Sequence, residues 1–106
     1  MIRVVYRRKK NSLRIEGHAF SGDAGQDLVC AGVSALAYTL AANVEQMRLK
    51  GQAQEIGVKM DKGNARIWCQ AVTGCEDMVR RVFEAVCVGF EIMAENFSKN
   101  IAYEVS

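Results

Sequence analysis

The sequence lacks several features that mark common protein classes. Its four cysteines include no C-x-x-C pair and it has a single histidine, so the usual spacing of a zinc site or a dithiol redox motif is missing. No secretion signal precedes the first strand-like segment, and charge breaks the longest apolar stretches before the roughly 20 residues of a membrane span. We therefore expect a cytoplasmic protein with reduced thiols and with no metal, cofactor or membrane insertion.

An excess of charge of one sign is also missing. Fourteen Lys and Arg residues face twelve Asp and Glu residues, for a net charge of +2, which gives no general argument for a nucleic-acid partner. The most basic run, residues 7–10, precedes Asn11 and Ser12 and is interpreted as a solvated hairpin turn, with a patch for RNA or another anionic partner as the alternative. We expect no direct contact with nucleic acid.

The composition is that of one globular domain. Half of the 106 residues are hydrophobic and a quarter are charged, and a chain of this length can bury a single core. No repeat, low-complexity segment or linker divides it. We predict a single domain over residues 1–106.

Apolar residues alternate in five segments, which predicts five strands. The first two, residues 2–7 and 13–18, flank the basic turn, and the next two, residues 56–60 and 65–70, flank the turn-forming group DKGN. The last is IAYEV at residues 101–105.

Two further segments repeat apolar residues every three or four positions, which predicts helices. The first runs from Asp27 to about Arg48 with Gly51 as its C-terminal cap, and the second begins at TGCE, where Thr73 and Glu76 can form a capping box. The predicted stripes are Val29, Val33, Leu36, Leu40, Val44 and Met47 in the first helix, and Val79, Val82, Phe83, Val86, Phe90, Met93 and Phe97 in the second.

The resulting order, ββαββαβ, predicts the α+β class. Both helices carry one apolar stripe, so they would cover one face of a mainly antiparallel sheet in a two-layer sandwich. The many small residues of the first helix would also allow close pairing with a second copy of the chain.

The segment EGHAFSGDAGQDLVCAGVSAL holds the single histidine, His18, and the first cysteine, Cys30. A cysteine attacks a carbonyl as its thiolate, which a histidine or a helix N-terminus stabilises. If Asp27 caps the first helix, Cys30 lies in its first turn, where free N–H groups would also bind an oxyanion. Asp27, Cys30 and Ser34 then share one helix face, and Asp27 could cap the helix, orient His18, or both.

These residues alone leave two interpretations open. Gly22 and Gly25 could let the loop fold His18 back onto Cys30 as a catalytic pair, or the pair could be a polar loop residue and a buried thiol. Cys75, near the start of the second helix, is the second candidate nucleophile. Packing roles are expected for Cys69 and Cys87.

A more specific signal is the order of two short motifs. GHA at residues 17–19, a glycine-bearing loop, and GQDLVCAGVSAL at residues 25–36 resemble the signature of the ribosomal-processing cysteine protease family, Prp. The resemblance implies an endopeptidase that removes the N-terminal extension of a large-subunit ribosomal protein, with Cys30 as nucleophile and His18 as general base. It also implies a homodimer.

The resemblance assigns further residues to the site. Gly17, Asp27 and Ser34 match the family's positions beside the reactive pair. Gly22 and Gly25 belong to a loop that would close over the peptide. Because the family's substrate has aromatic residues before the cut, an apolar groove that includes Phe20 or Tyr38 is expected.

Two other functions remain as alternatives. A non-catalytic ribosome-associated module would use residues 7–10 against RNA phosphates. A thiol sensor would oxidise Cys30 and close a disulfide with a second cysteine, although the absence of C-x-x-C argues against it.

Overall fold

A computed structural model of the chain describes residues 1–17 and 24–106, with side chains in the first helix from Leu28 onward. The elements in chain order are β1 (Ile2–Arg7), β2 (Ser12–Glu16), α1 (Ala24–Leu49), β3 (Ala53–Asp61), β4 (Asn64–Ala71), α2 (Glu76–Asn96) and β5 (Ile101–Val105). The basic run between β1 and β2 forms one short 3₁₀ turn, Arg8–Lys10, which Asn11 ends in the left-handed conformation. The predicted order and the α+β class are confirmed.

The five strands form one mixed sheet in the order β3-β4-β2-β1-β5. The pairs β1–β2, β2–β4 and β3–β4 are antiparallel, whereas β1 and β5 are parallel. A parallel pair needs a crossover connection, and here the connection between β1 and β5 includes both helices. The sheet is therefore mainly antiparallel, as predicted.

The core lies between one face of the sheet and both helices. The strands alternate buried and exposed residues, most clearly in β1 and β4, as expected for a sheet with one covered face. The helix side chains buried in the core are Val29, Val33, Ala37, Leu40, Val44 and Met47 from α1, and Val79, Phe83, Cys87 and Phe90 from α2. The stripe predicted for each helix faces this core, fully or in part.

Leu36 is partly buried against the core, as predicted, and it also lies between the two helices. Its methyl groups pack over Gly89 of α2, while Met93 of α2 packs over Gly32 of α1. A Cβ at either glycine would press on these side chains. The two glycines therefore allow α1 and α2 to pack closely side by side.

The predicted start of α1 and the predicted cap of α2, Thr73, were wrong. Helix α1 begins at Ala24, three residues before Asp27, because Ala24 and Gln26 readily continue a helix. Helix α2 has Cys75 as its N-cap, without a side-chain cap hydrogen bond. Gly74 adopts a φ of +93° and inserts a turn after Thr73, and its N–H donates to the Glu76 carboxylate at 2.8 and 3.1 Å.

The predicted cap at the end of α1 is confirmed. Gly51 has a φ of +72°, its N–H donates to the Arg48 carbonyl at 3.0 Å, and the N–H of Gln52 donates to the Met47 carbonyl at 2.8 Å. These two bonds form a Schellman motif, which satisfies carbonyls that the helix leaves free.

One described helical segment, Leu28–Leu49, is long and apolar enough by length and composition to cross a membrane. The expectation that charge breaks every such run early was wrong here, since the first charged residue after Leu28 is Glu45. In the fold, one side of this segment packs on the sheet as a core helix.

Candidate active site

Cys30 lines a groove of about 410 Å³ between α1 and the hairpin that joins β3 to β4. One wall is helical and the other is formed by the hairpin turn, with the ends of β1 and β2 at the floor. The lining residues are Ile2, Ile15, Gly17, Cys30, Val33, Ser34, Ala37, Tyr38, Met60, Asp61, Lys62, Gly63, Asn64 and Ala65. The groove therefore combines an apolar floor with a polar rim.

The helical wall carries three of the expected residues in successive turns. Cys30 is a free, partly exposed thiol, Ser34 is exposed one turn later, and Tyr38 is 62% exposed after another turn. Their spacing of four places them above one another on one helix face. The structure thus brings together Cys30, Ser34 and the aromatic ring that the substrate groove was expected to include.

Cys30 lies farther from the helix start than expected. It is the seventh residue of α1 rather than the third. The four N–H groups without helical partners belong to the first turn, residues 24–27, so the N–H of Cys30 is not one of the free donors. Any oxyanion contact from this helix would come from the first turn.

Gly17, the residue before His18 in the sequence, closes the groove at the end of β2. Its φ is +105°, and a Cβ at this position would overlap the carbonyl oxygen of Met1. Its N–H donates to the carbonyl of Gly63 in the β3–β4 turn at 3.0 Å. Glycine is therefore required here, and the hydrogen bond ties the chain before His18 to the opposite wall.

The hairpin wall was not predicted as part of the site. The DKGN group was identified only as a turn, yet Asp61, Lys62 and Asn64 all line the groove. The turn uses Lys62 and Gly63, and Gly63 adopts a φ of +81°, a conformation that glycine takes without steric cost. The local sequence does not indicate that this turn belongs to the site, because the turn comes to lie opposite α1 only in the folded protein.

Several predicted site residues fall outside the described part of the structure. His18, Phe20 and Gly22 lie within residues 18–23, which the structure does not describe. Gly25 and Asp27 lie in the first turn of α1, where only the backbone is described. The pairing of His18 with Cys30 therefore stays a prediction.

The other cysteines occupy different environments. Cys69 and Cys87 are buried in the core, and burial raises the pKa of each thiol to about 11, which disfavours the reactive thiolate. Cys75 is partly exposed at the start of α2 and does not line the groove. Among the described cysteines, Cys30 alone is in the groove.

Comparison with known families gives one match. The model of the family described as "Cysteine protease Prp" matches residues 1–102 of the chain. No curated protein matches the sequence.

Several solved structures share the fold. A crystal structure of a Streptococcus mutans protein is 28% identical, with a TM-score of 0.72, over 98% of this chain and 90% of that one. The ribosomal processing protease Prp of S. aureus with a covalently linked product peptide is 22% identical, with a TM-score of 0.75, over the whole of both chains. The same protease with a substrate peptide is 20% identical, with a TM-score of 0.71, over 99% and 97%.

Proposed function

Because the chain belongs to the Prp family of cysteine proteases, we propose that it removes the N-terminal extension of a large-subunit ribosomal protein, with Cys30 as nucleophile and His18 as general base. The observation that carries this proposal is the position of Cys30 in a groove that Gly17, the neighbour of His18, also lines. A similar S. aureus fold, described as a ribosomal processing protease, has been solved with peptides bound.

The proposed reaction is thiol acyl transfer. The Cys30 thiolate attacks the carbonyl carbon of the scissile peptide bond, and the tetrahedral intermediate collapses as protonated His18 donates its proton to the leaving amine. His18 then takes a proton from a water molecule, which attacks the thioester. Collapse of the second intermediate releases the new carboxyl terminus and restores the Cys30 thiolate.

Backbone N–H groups in the first turn of α1 are the proposed oxyanion donors. They carry the positive end of the helix dipole and have no partners within the helix. Gly25 and Asp27 lie in this turn, and the proposed role of Gly25 is to let substrate approach the backbone closely. Gly22 belongs to the segment proposed to close over the bound peptide.

The groove walls suit an extended peptide. Tyr38 offers an exposed ring on the helical wall, while Ser34 and Asn64 offer hydrogen-bonding groups on opposite sides. Ring packing would account for a substrate with aromatic residues before the cut. Phe20 is the second proposed aromatic contact.

The protein is further proposed to act in the cytoplasm as a homodimer that pairs through its helical layer. The outer surface of α1 and α2 exposes Leu28, Val88 and Ile92, each more than half exposed. Large apolar side chains grouped on one surface are typical of an interface. A second copy would cover them by helix packing.

The proposal is tested with a synthetic peptide that carries the extension and its junction. The purified protein should cut this peptide once, and mass spectrometry should identify both products. Cys30→Ala and His18→Ala should each lower the rate by at least about a thousandfold, since each removes a group essential to acyl transfer.

Cys75→Ala is the matched control because it removes a partly exposed thiol outside the groove. It should cut at the wild-type rate. Full activity in Cys30→Ala, or equal loss in Cys75→Ala, would overturn the assignment of the nucleophile.

A further inference from the structure

The sheet face opposite the helices holds a shallow depression of about 670 Å³ whose charged residues are mostly cationic. The cationic lining residues are Arg3, Arg7, Lys10, Arg14 and Arg66, and the carboxylates are Glu16 and Glu104. The net charge of the chain is near zero because acidic residues elsewhere balance these cations. Strand pairing collects them on one surface.

Three cations are aligned directly across neighbouring strands of this face, starting at the edge strand β3. Lys59 of β3 pairs with Arg66 of β4, and Arg66 pairs with Arg14 of β2. Paired residues in antiparallel strands share a face of the sheet, and like charges placed opposite each other destabilise it. The fold therefore maintains an electrostatically unfavourable row that a bound polyanion would neutralise.

Among the described residues, one carboxylate forms an ion pair with this row. Arg14 forms an ion pair with Glu16 at 3.4 Å, but both side chains are 52% exposed. Exposed pairs of this kind add little to stability, so Arg14 can exchange Glu16 for a phosphate at small cost. The Arg66 guanidinium lies 4.6 Å from the centre of the Trp68 ring. This cation–π contact orients the guanidinium over the sheet and leaves its charge in place.

We propose that this open sheet face binds RNA through its phosphodiester backbone. A row of three strands spans about 10 Å, and Arg7 and Lys10 line the same depression beside it. A protein partner would need an apolar centre with few charged residues, whereas Val5 and the partly buried Trp68 are the apolar side chains that line the depression. Backbone phosphates match it better because their binding is electrostatic and independent of sequence.

The RNA face and the groove with Cys30 do not overlap. The groove lies on the side of the sheet that α1 covers, and the two sets of lining residues share no member. RNA and a peptide can therefore bind at the same time. RNA binding does not depend on the proposed protease mechanism and is measured separately from it.

The test is fluorescence anisotropy with a fluorescein-labelled RNA hairpin at increasing KCl concentrations. Arg14→Glu/Arg66→Glu should weaken binding at least about tenfold and reduce the slope of log affinity against log salt, by about 0.7 to 0.9 for each phosphate that is no longer neutralised. Lys50→Glu/Lys99→Glu is the matched control, since it makes the same change in net charge at exposed positions outside the depression. It should bind within about threefold of the wild type, because distant charges are screened.

A second variant separates RNA binding from folding. Lys59→Gln removes one end of the cationic row and relieves repulsion with Arg66, so it should weaken RNA binding without lowering the unfolding midpoint. Peptide cleavage by all these variants should remain at the wild-type rate.

Four results would overturn the proposal. They are no RNA binding by the wild type at low salt, equal loss in both double variants, binding of a labelled polyglutamate as tight as that of RNA, and a change of oligomeric state in Arg14→Glu/Arg66→Glu. The third result would indicate an acidic protein partner, and the fourth would indicate that the face pairs two copies of the chain.

Discussion

Gly17 and Gly51 both adopt positive φ values, yet they differ in the space around them. Gly17 has a φ of +105° and its missing side chain leaves room for the Met1 carbonyl, whereas Gly51 has a φ of +72° and open space within 4 Å of where a Cβ would lie. A side chain at position 17 would therefore cause both backbone strain and a steric clash, whereas a side chain at position 51 would cause backbone strain alone. Gly17 is also the residue that leads into His18.

Gly17→Ala should lower the free energy of unfolding by more than about 2 kcal/mol, because a non-glycine residue at positive φ and a backbone clash act together. Gly51→Ala is the control, and it should lower the free energy of unfolding by about 1 kcal/mol, because only the positive φ disfavours alanine there. Urea denaturation measures both values. Equal losses would show that the close approach of Gly17 to Met1 is unimportant.

At the scale of elements, the helical layer has two different surfaces. Its inner surface packs on the sheet, while α1 and α2 meet through Gly32 and Gly89. Val88 and Ile92 remain on the outer surface of α2, 53% and 52% exposed. The proposed homodimer uses this outer surface.

Ile92→Glu should convert the homodimer into a monomer, since it places a charge within the proposed apolar contact. Lys99→Gln, the control, makes the same change in charge at an exposed position after α2 and should leave the dimer intact. Size-exclusion chromatography with light scattering gives the mass of each. A monomeric wild type, or a dimeric Ile92→Glu variant, would contradict the proposed interface.

Sequence patterns predicted the elements better than their contacts. Local alternation of apolar residues is enough to predict strands β1 and β5. The conformational freedom of glycine is enough to predict the Gly51 cap. The start of α1 was missed because Asp27 is as suitable inside the first turn, where acidic residues favour the helix dipole, as at the cap. Asp61 and Asn64 were missed as groove residues because only tertiary packing brings their turn to Cys30.

The cationic sheet face was missed for a similar reason, because tertiary structure is needed to bring its residues together. Residues 7–10 were identified as basic because they are contiguous, whereas Arg14, Lys59 and Arg66 are separated in sequence. Their alignment depends on strand register, which is set by the whole sheet. The expectation of no nucleic-acid contact was based on net charge, which carries no information on that register.

For the whole molecule, burial of ionisable groups couples stability to alkaline pH. Burial raises the pKa of the Cys69 and Cys87 thiols from 9.0 to about 11, and it raises the pKa of the Tyr6 hydroxyl from 10.0 to about 12. The unfolded chain therefore loses these protons at a lower pH than the folded protein. Their contribution is fully present below pH 9 and is lost as the pH rises towards 11 and 12.

The free energy of unfolding should accordingly fall between pH 9 and pH 11, with each thiol contributing at most about 1.4 kcal/mol per pH unit. Urea titrations across this range measure the slope. Cys69→Ala/Cys87→Ala, although less stable at every pH, should show a shallower slope. An unchanged slope in this variant would assign the alkaline loss to other groups.

Cys30 is proposed as the nucleophile of the groove, and the most direct measurement of this central claim is the site of covalent capture. A chloromethyl ketone built on the peptide before the cut is incubated with the native protein, and the modified residue is mapped by peptide mass spectrometry. We predict one adduct, on Cys30, with Cys69, Cys75 and Cys87 unmodified, and a much slower reaction in His18→Ala. An adduct on Cys75, or capture at the same rate without His18, would contradict this assignment.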